Sequence, residues 1–347
     1  MEFLQFSNFI ELAWWAFLLS LTTNLLVIRL SHRYSLFIDS HTEAKPQRFH
    51  ELPTPRAGGI GIVTGLIFLI FNPLGWNLVI SVVLAFLSGI FEDFHKTLSP
   101  KTRLLLQLTA AFSAILLTDA VVTYIGLGIE LPYYIALPFS AFAIVGVMNA
   151  VNIIDGFNGL AGGVVLLILL SFGITAYSVG EVEVLQLNTL IIASLMGFLV
   201  LNFPKGLIFL GDGGAYLLGF LIALSGIFLA SNYESVSPWY ILCTLIYPVW
   251  EVIFSIIRKN REGKSPMEPD AYHLHMLINR HITRNNPLTA LFIVSMCAPF
   301  TLLPILYHNN SWANLTTALL FIALYTLLYR KLIAMERGSS NPNLEIE

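Results

Sequence analysis

Charged residues are scarce in this chain, and their scarcity decides the environment in which it folds. Only 11% of the 347 residues are Asp, Glu, Lys or Arg, whereas 56% are hydrophobic. Ordinary soluble domains carry about a quarter charged residues. Apolar runs of about 20 residues, long enough to cross a bilayer, recur along the whole chain. The composition therefore predicts an all-α, polytopic helical bundle embedded in a lipid bilayer.

Cysteine and net charge are also low, and each excludes a class of protein. The two cysteines, Cys243 and Cys297, lie within apolar runs, where cysteine usually behaves as a small hydrophobe. Neither a disulfide framework nor a zinc site is therefore expected. The formal net charge is −3, so the chain lacks the large positive field that would attract a nucleic acid.

Hydropathy predicts about eleven transmembrane helices, which cover residues 9–30, 57–72, 76–92, 103–122, 132–148, 160–178, 186–203, 213–231, 237–257, 288–306 and 311–330. All 18 Lys and Arg residues fall in odd-numbered connections or in the C-terminal segment. The positive-inside rule places those segments in the cytoplasm. The N-terminus is then predicted outside and the C-terminus in the cytoplasm. We expect one membrane domain over residues 1–337 and a polar tail over 338–347.

Five polar blocks interrupt the apolar runs, all on the predicted cytoplasmic side. The most informative block spans residues 149–160 and contains Asn149, Asn152, Asp155 and Asn158. A spacing of three gathers these side chains on one side of a helix for roughly two turns. A buried carboxylate among amides and glycines at a membrane edge is costly to keep. A site for a metal ion, a phosphate or both explains the block, and a polar helix-packing face is the alternative.

Two further blocks are acidic. Glu92 and Asp93 end the third predicted span, and adjacent carboxylates can bind a divalent cation through oxygen, as Mg²⁺ prefers. Asp212 is flanked by three glycines, so it could bind a metal while neighbouring backbone amides approach a phosphate. The alternatives are a solvated helix end paired with Lys96 or Lys101, and a simple turn.

The last two blocks offer groups that bind anions. Gly58 and Gly59 could present free backbone N–H groups at a helix start. His273 and His275 lie in a cationic loop and could bind a pyrophosphate or sugar hydroxyls. An ordinary loop-to-helix junction and a solvated histidine pair are the corresponding alternatives.

The order and sidedness of the blocks match a known pattern. The matching positions are Pro53, Thr54, Pro55, Arg56, Gly58, Gly59, Glu92, Asp93, Leu98, Lys101, Gln107, Asn149, Asn152, Asp155, Gly156, Asn158, Gly159, Leu160, Gly211, Asp212, Gly214, His273 and His275. Over roughly residues 10–330 the chain resembles the polyprenyl-phosphate N-acetylhexosamine-1-phosphate transferases of glycosyltransferase family 4. This superfamily includes the bacterial phospho-N-acetylmuramoyl-pentapeptide transferase. The histidine loop is similar to that of the branch that starts O-antigen or enterobacterial-common-antigen chains.

The chain departs from the family pattern at three positions. Glu92 stands where Asp is usual, Asn158 replaces a second acid, and Ala215 stands where Ser is common. Glu92 can still bind a metal with a longer reach. Asn158 loses a charge but keeps its hydrogen-bonding groups, so we expect this position to influence the choice of donor.

The resemblance implies a reaction. N-acetylhexosamine 1-phosphate, most commonly GlcNAc 1-phosphate, would pass from a UDP-sugar to undecaprenyl phosphate with release of UMP, starting a lipid-linked cell-envelope polysaccharide. It implies Mg²⁺, with Mn²⁺ as an alternative, held by Asp212, Asp155 and Asn152. Asp93, beside Glu92, is the expected base or lipid-phosphate orienter, and a covalent aspartyl-phosphate route through Asp93 is the alternative.

The resemblance also assigns the catalytic and substrate-binding residues. The catalytic group is Asp93, Glu92 and Asp155. The substrate-binding residues are Pro53, Thr54, Arg56, Gly58, Gly59, Lys101, Asn149, Asn152, Asn158, Gly211, His273, His275 and Arg280.

The implied partners are a UDP-N-acetylhexosamine, undecaprenyl phosphate and the bilayer, and a homodimer is compatible with the sequence. The implied location is the bacterial cytoplasmic membrane, with the site facing the cytoplasm. The enzymatic alternatives are a phospho-N-acetylmuramoyl-pentapeptide transferase activity and a different UDP-N-acetylhexosamine donor. A secondary transporter, whose ionisable groups usually lie near the membrane midplane, and a non-catalytic assembly partner are the alternatives from other classes.

Overall fold

A computed structural model describes residues 2–37, 54–95, 98–231, 235–265, 268 and 270–339, and across these ranges the chain forms helices without a β-strand. The helices are α1 (Glu2–Tyr34), α2 (Gly58–Gly65), α3 (Pro73–His95), α4 (Pro100–Thr118), α5 (Tyr133–Ile154), α6 (Leu160–Val179), α7 (Val182–Asn202), α8 (Gly211–Ser231), α9 (Pro238–Thr244), α10 (Ile246–Arg261), α11 (Leu274–Ile278), α12 (Asn286–Leu302) and α13 (Ser311–Ser339). The 3-10 segments Leu66–Phe71 and Leu303–Tyr307 follow α2 and α12, and the π-helical turn Asn279–Thr283 follows α11. The predicted all-α class is confirmed.

Eight of the described helical segments are long and apolar enough to cross a membrane, and they contain α1, α3, α5, α6, α7, α8, α12 and α13. Helices α9 and α10 meet at a bend of 75° and make a ninth if they are counted as one span. The apolar segment Gly58–Phe71 is shorter than these helices, and α4 is not among the eight. The chain is thus a multi-pass helical membrane protein. The number eleven stays a prediction.

Helix α8 forms the centre of the bundle, and its membrane segment is entirely buried. It packs against α2, α3, α5, α6 and α7. Glycines allow the closest of these contacts, since a Cβ on Gly59 of α2 would lie 2.5 Å from the backbone N of Gly214. A Cβ on Gly89 of α3 would clash with the carbonyl carbon of Asp212. Small residues commonly bring membrane helices together in this way, and here they set the position of the first turn of α8.

The start of α4 is determined by a local capping signal. Ser99 Oγ accepts the backbone N–H of Thr102 at 3.1 Å, and Pro100 occupies the first turn. Both features favour a helix start. The cap orients the first turn of α4, which carries Lys101 and Arg103.

Candidate functional site

Asp212 lies in the first turn of α8, where side chains from three other segments meet it. Asn152 Nδ2, at the end of α5, donates to Asp212 Oδ1 at 3.1 Å. Arg56 Nη2 lies 3.7 Å from the same oxygen, and Arg103 Nη1 of α4 lies 3.7 Å from Oδ2. The Asp212 side chain is only 16% exposed. The carboxylate is therefore held between two guanidinium groups and an amide.

Asp93, near the end of α3, caps the helix that carries Asp212. Its Oδ1 accepts the backbone N–H of Asp212 at 2.8 Å, and its Oδ2 accepts that of Gly213 at 2.9 Å. A carboxylate at a helix N-terminus satisfies unpaired N–H groups and is favoured by the helix dipole. Gly211 has φ +75°, and a Cβ there would lie 2.7 Å from Asp93 Oδ2. The glycines predicted around Asp212 therefore allow the backbone at the start of α8 to approach the Asp93 carboxylate closely.

Asp155 follows the last residue of α5 and belongs to the same electrostatic environment. Loss of hydration raises the pKa of Asp155 to about 7; the Arg56 guanidinium lowers it and the Asp212 carboxylate raises it. The carboxyl groups of Asp155 and Asp212 thus affect each other, and Arg56 acts on both. Like charges in one site disfavour ionisation of both, and a bound cation would relieve this cost.

The donor set fits a magnesium ion better than a softer metal. In the part of the chain that the structure describes, no group of three or more His, Cys, Asp and Glu is arranged to hold a metal. The predicted ligands Asp212, Asp155 and Asn152 are instead two acids and an amide. Mg²⁺ is usually bound by one or two carboxylates together with water and substrate phosphates. The oxygen chemistry of these residues is therefore compatible with the predicted ion.

The Gly58–Gly59 segment differs from its predicted role. The N–H of Gly58 donates to the carbonyl of Phe209 at 2.8 Å, and that of Gly59 to Leu210 at 3.0 Å. The expectation that these N–H groups are free to bind an anion is wrong, because both already have backbone acceptors. The Phe209 N–H in turn donates to the carbonyl of Pro55 at 2.9 Å. This pairing holds residues 55–59 beside residues 209–210, which precede α8, and places Arg56 next to Asp212.

The two loop histidines lie in different environments. His273 Nδ1 lies 3.0 Å from Glu251 Oε1, whereas both ring nitrogens of the fully buried His275 lack a hydrogen-bond partner among the described residues. The rings stack with centroids 5.4 Å apart. A Cβ on Gly156 would lie 3.1 Å from His275 Nε2, so this ring packs beside the Asp155 loop. Loss of hydration lowers the pKa of His275 to about 3, and a neutral ring lacks the charge of the expected diphosphate clamp.

Several other predicted substrate residues make contacts within the protein. Asn158 Nδ2 donates to the carbonyl of Pro204 at 3.2 Å, and Asn149 Nδ2 donates to Gln107 Oε1 at 2.9 Å. Arg280 pairs with Glu336 of α13. These contacts hold Asn158 and Arg280 to neighbouring segments, and their substrate-binding roles stay predictions.

The remaining predicted positions are less constrained by the structure. Lys101 is exposed, while Glu92 and Thr54 are partly buried. Pro53 lies outside the described residues, as does the tail from residue 340 onward.

Comparison with known proteins adds an independent observation. Residues 76–230 match the family model described as glycosyl transferase family 4, a stretch that contains Asp93, Asn152, Asp155 and Asp212. The chain is also 28% identical over 340 residues to a protein of Bacillus subtilis named probable undecaprenyl-phosphate N-acetylglucosaminyl 1-phosphate transferase, covering 94% of this chain and 92% of that relative. The chain is thus similar to glycosyl transferase family 4 over residues 76–230, and to this relative over most of its length.

Other similar proteins have two kinds of name. An undecaprenyl-phosphate alpha-N-acetylglucosaminyl 1-phosphate transferase of Thermotoga maritima is 28% identical over 305 residues, or 86% of this chain and 90% of the relative. A phospho-N-acetylmuramoyl-pentapeptide-transferase of Streptococcus agalactiae is 32% identical over 218 residues, or 56% of this chain and 64% of the relative. The two N-acetylglucosaminyl transferases are thus matched over more of their length than this pentapeptide transferase.

Three further residues, none of which was among the site residues predicted from the sequence, connect to predicted ones. Arg103 contacts Asp212, and Glu251 and Tyr325 form a chain of contacts to His273. Arg103 could have been found from its place two residues after Lys101, in the first turn of a helix beside an acidic block. Glu251 had a signal of its own, because a carboxylate inside an apolar span is a candidate functional residue. Tyr325 carries no local signal.

Proposed function

We propose that this protein transfers N-acetylglucosamine 1-phosphate from UDP-GlcNAc to undecaprenyl phosphate and releases UMP. The observation that carries the proposal is the convergence of Arg56, Arg103 and Asn152 on Asp212, with Asp155 nearby. The names of the Bacillus subtilis and Thermotoga maritima relatives support the same reaction. Such a transfer would start a lipid-linked polysaccharide of the cell envelope.

The chemistry of this reaction suits the charges of the site. An oxygen of the lipid phosphate forms a bond to the phosphorus that carries the sugar, and the bond from that phosphorus to the UMP oxygen breaks. The acceptor phosphate, with a second pKa near 6, is mostly a dianion at neutral pH and needs no base. Two anions nevertheless repel each other. Arg56 and Arg103 would lower that barrier by binding phosphate oxygens where negative charge develops.

The proposal includes Mg²⁺, with Mn²⁺ as the alternative, held by Asp212 and Asp155. Asn152 would join through its amide oxygen, which requires rotation of the amide, because Nδ2 is the atom that now meets Asp212. When bound, the ion would neutralise part of the diphosphate charge. The arginines that flank Asp212 would then be released to the substrate phosphates.

Asp93 has a positioning role in this proposal. Both of its oxygens accept backbone N–H groups of α8, so proton abstraction or attack by Asp93 would first break the cap. The cap keeps the first turn of α8, and therefore Asp212, in register with α3. Orientation of the lipid phosphate by Asp93 or its neighbour Glu92 is compatible with this role.

The proposed topology has eleven spans, with the N-terminus outside and the C-terminus in the cytoplasm of a bacterium. The site would then face the cytoplasm, where a UDP-sugar is available, and a homodimer is compatible with this arrangement.

Exposed Lys101 and Glu130 lie at opposite predicted faces. Each would be replaced by Cys and labelled in intact cells with an impermeant maleimide. We expect Glu130→Cys to react directly and Lys101→Cys only after permeabilisation, and the reverse pattern would invert the topology.

The test of function uses purified protein, UDP-GlcNAc labelled in the uracil and sugar, undecaprenyl phosphate and Mg²⁺. We expect labelled UMP and a lipid-linked sugar phosphate, both dependent on the lipid. Parallel reactions with UDP-GalNAc and UDP-N-acetylmuramoyl-pentapeptide would identify a different donor. Uptake of the UDP-sugar by sealed proteoliposomes without UMP release would instead indicate a transporter. If the protein neither formed a product nor took up a donor, the remaining alternative would be a non-catalytic assembly partner.

A further inference from the structure

Glu251 is a carboxylate in α10 that is 1% exposed, and its contacts surround His273. Oε1 lies 3.0 Å from His273 Nδ1 and accepts the backbone N–H of Leu274 at 3.1 Å. Oε2 accepts the hydroxyl of Tyr325, in α13, at 2.8 Å. A buried carboxylate with a single partner would be costly. Here three donors from two segments satisfy it.

This contact determines which nitrogen of His273 carries a proton. An ionised carboxylate can only accept hydrogen bonds, so Nδ1 must be the donor. The partner of one ring nitrogen sets the proton on a histidine and the orientation of its ring. The other nitrogen, Nε2, lies 3.8 Å from Asp270 Oδ1, beyond hydrogen-bonding distance. Asp270 is itself paired with Arg258 at 2.7 Å.

His275 provides a comparison within the same turn. Its ring is parallel to that of His273, with an angle of 3° between the planes, but among the described residues only the His273 ring has a hydrogen-bonded carboxylate partner. Its two nitrogens have no hydrogen-bond partner in the described part of the chain. Burial without a partner favours the neutral form of an imidazole. Glu251 therefore distinguishes two histidines that look equivalent in sequence.

We propose that Glu251 is a positioning residue that holds the proton of His273 on Nδ1 and fixes the orientation of the ring, so that Nε2 can accept a hydrogen bond from a hydroxyl group of the donor. His275, in contrast, packs as a neutral ring against the loop that carries Asp155. This inference rests on the proposed transferase function. It assigns one histidine to the donor and the other to the support of the acidic loop.

The first test compares Glu251→Gln with Tyr325→Phe in the UMP-release assay. Glutamine keeps the shape and an acceptor oxygen but loses the charge, whereas Phe removes a different hydrogen bond from the same carboxylate. Since a hydrogen bond to a charged group is lost, we expect Glu251→Gln to raise KM for UDP-GlcNAc by about tenfold to a hundredfold. The KM for undecaprenyl phosphate should stay within about threefold. Tyr325→Phe should stay within about threefold for both substrates, and equal losses in the two variants would overturn the proposal.

A double-mutant cycle then asks whether Glu251 acts through His273. We expect Glu251→Gln combined with His273→Gln to be no worse than His273→Gln alone, because residues that act as one unit are not additive. Independent, multiplying losses would show that Glu251 acts by another route. A third result, a His273→Gln protein with normal KM for the donor, would also overturn the proposal.

A spectroscopic measurement covers the case in which Glu251→Gln does not fold. In wild-type protein labelled with ¹⁵N-histidine, the signal that disappears in His273→Gln is assigned to His273. We expect its Nδ1 to be protonated; a bare Nδ1 would overturn the inference. This measurement needs no turnover. Absence of UMP release by wild-type protein would therefore refute the transferase proposal separately, while the proton position would still be decided.

Discussion

The carboxylate of Asp93 accepts the backbone N–H of Asp212 at 2.8 Å, although 119 positions separate the two acids in the chain. The contact joins the end of α3 to the beginning of α8. Asp93 thus supports the position of Asp212 through the backbone, while Arg56 and Arg103 meet the Asp212 side chain. Asp93, one of the two acids predicted at residues 92 and 93, therefore caps the helix that carries Asp212.

Replacing Asp93 by Asn should reduce stability as well as activity. Asparagine keeps one acceptor oxygen but places an NH₂ group against the second backbone N–H. We expect the free energy of unfolding to fall by about 1–3 kcal/mol. Both cysteines are buried, so a thiol-reactive dye can follow unfolding in detergent. Asp119→Asn is the matched control, because Asp119 lies at the far end of α4, away from this cap, and equal stability of all three proteins would rule out the cap.

Asp212→Asn should abolish transfer without unfolding the protein. The change keeps the size of the side chain and removes the charge proposed to hold Mg²⁺ and now paired with two arginines. We expect kcat to fall by at least about a hundredfold, with a thermal unfolding midpoint close to that of the wild type. Steady-state UMP release at saturating Mg²⁺ measures the first and the dye assay the second. Near-normal rates would show that the metal assignment is wrong.

The glycine contact between α2 and α8 gives a prediction about packing. A Cβ on Gly59 would lie 2.5 Å from the backbone of Gly214, so Gly59→Ala should force the helices apart. Overpacking of this kind typically costs about 1–3 kcal/mol. At Gly146, in α5, an added Cβ would meet no described atom within 4 Å, and Gly146→Ala should be neutral or slightly stabilising. Thermal unfolding of both variants checks the contrast, and similar stabilities would contradict it.

Substitution of Asn158 tests whether this residue has a structural role, a role in donor choice, or both. Its amide donates to the carbonyl of Pro204, and a Cβ on Gly206 would lie 2.5 Å from Asn158 Nδ2. Asn158→Asp places an acceptor against an acceptor, so we expect a loss of about 1–3 kcal/mol in stability. The role in donor choice predicts that the ratio of kcat/KM for UDP-GlcNAc and UDP-GalNAc changes as well. An unchanged ratio would show that Asn158 acts on stability alone.

His275 should make the stability of the protein depend on pH. In the unfolded chain its pKa is near 6.5, but burial lowers the folded value to about 3. Between these values the unfolded state binds the additional proton, so stability falls as pH decreases, by about 1.4 kcal/mol per pH unit. Asp155, with its raised pKa, contributes the opposite slope from about pH 4 to 7. The difference between wild type and His275→Asn, measured at pH 7.5 and 5.0, isolates the histidine, and an unchanged difference would contradict the neutral buried ring.

The all-α membrane class, which depends on local sequence, was predicted correctly. Long apolar runs indicate helices in a membrane because a backbone surrounded by lipid must satisfy its own hydrogen bonds. The polar blocks marked where the runs end, and their order carried the resemblance to a family whose model matches residues 76–230. Asp212, Asp155 and Asn152 could be grouped from this pattern alone. Their individual roles stay predictions.

The partners of these residues were decided only by the tertiary structure. Gly58 and Gly59 looked like anion-binding positions, but the backbone of residues 209–210 occupies their N–H groups. His273 and His275 looked equivalent, until packing placed Glu251 beside one and left the other without a hydrogen-bond partner among the described residues. The physical reason is that the chemistry of a hydrogen-bonding group is local, whereas the group that satisfies it comes from a segment whose position depends on how all the helices pack.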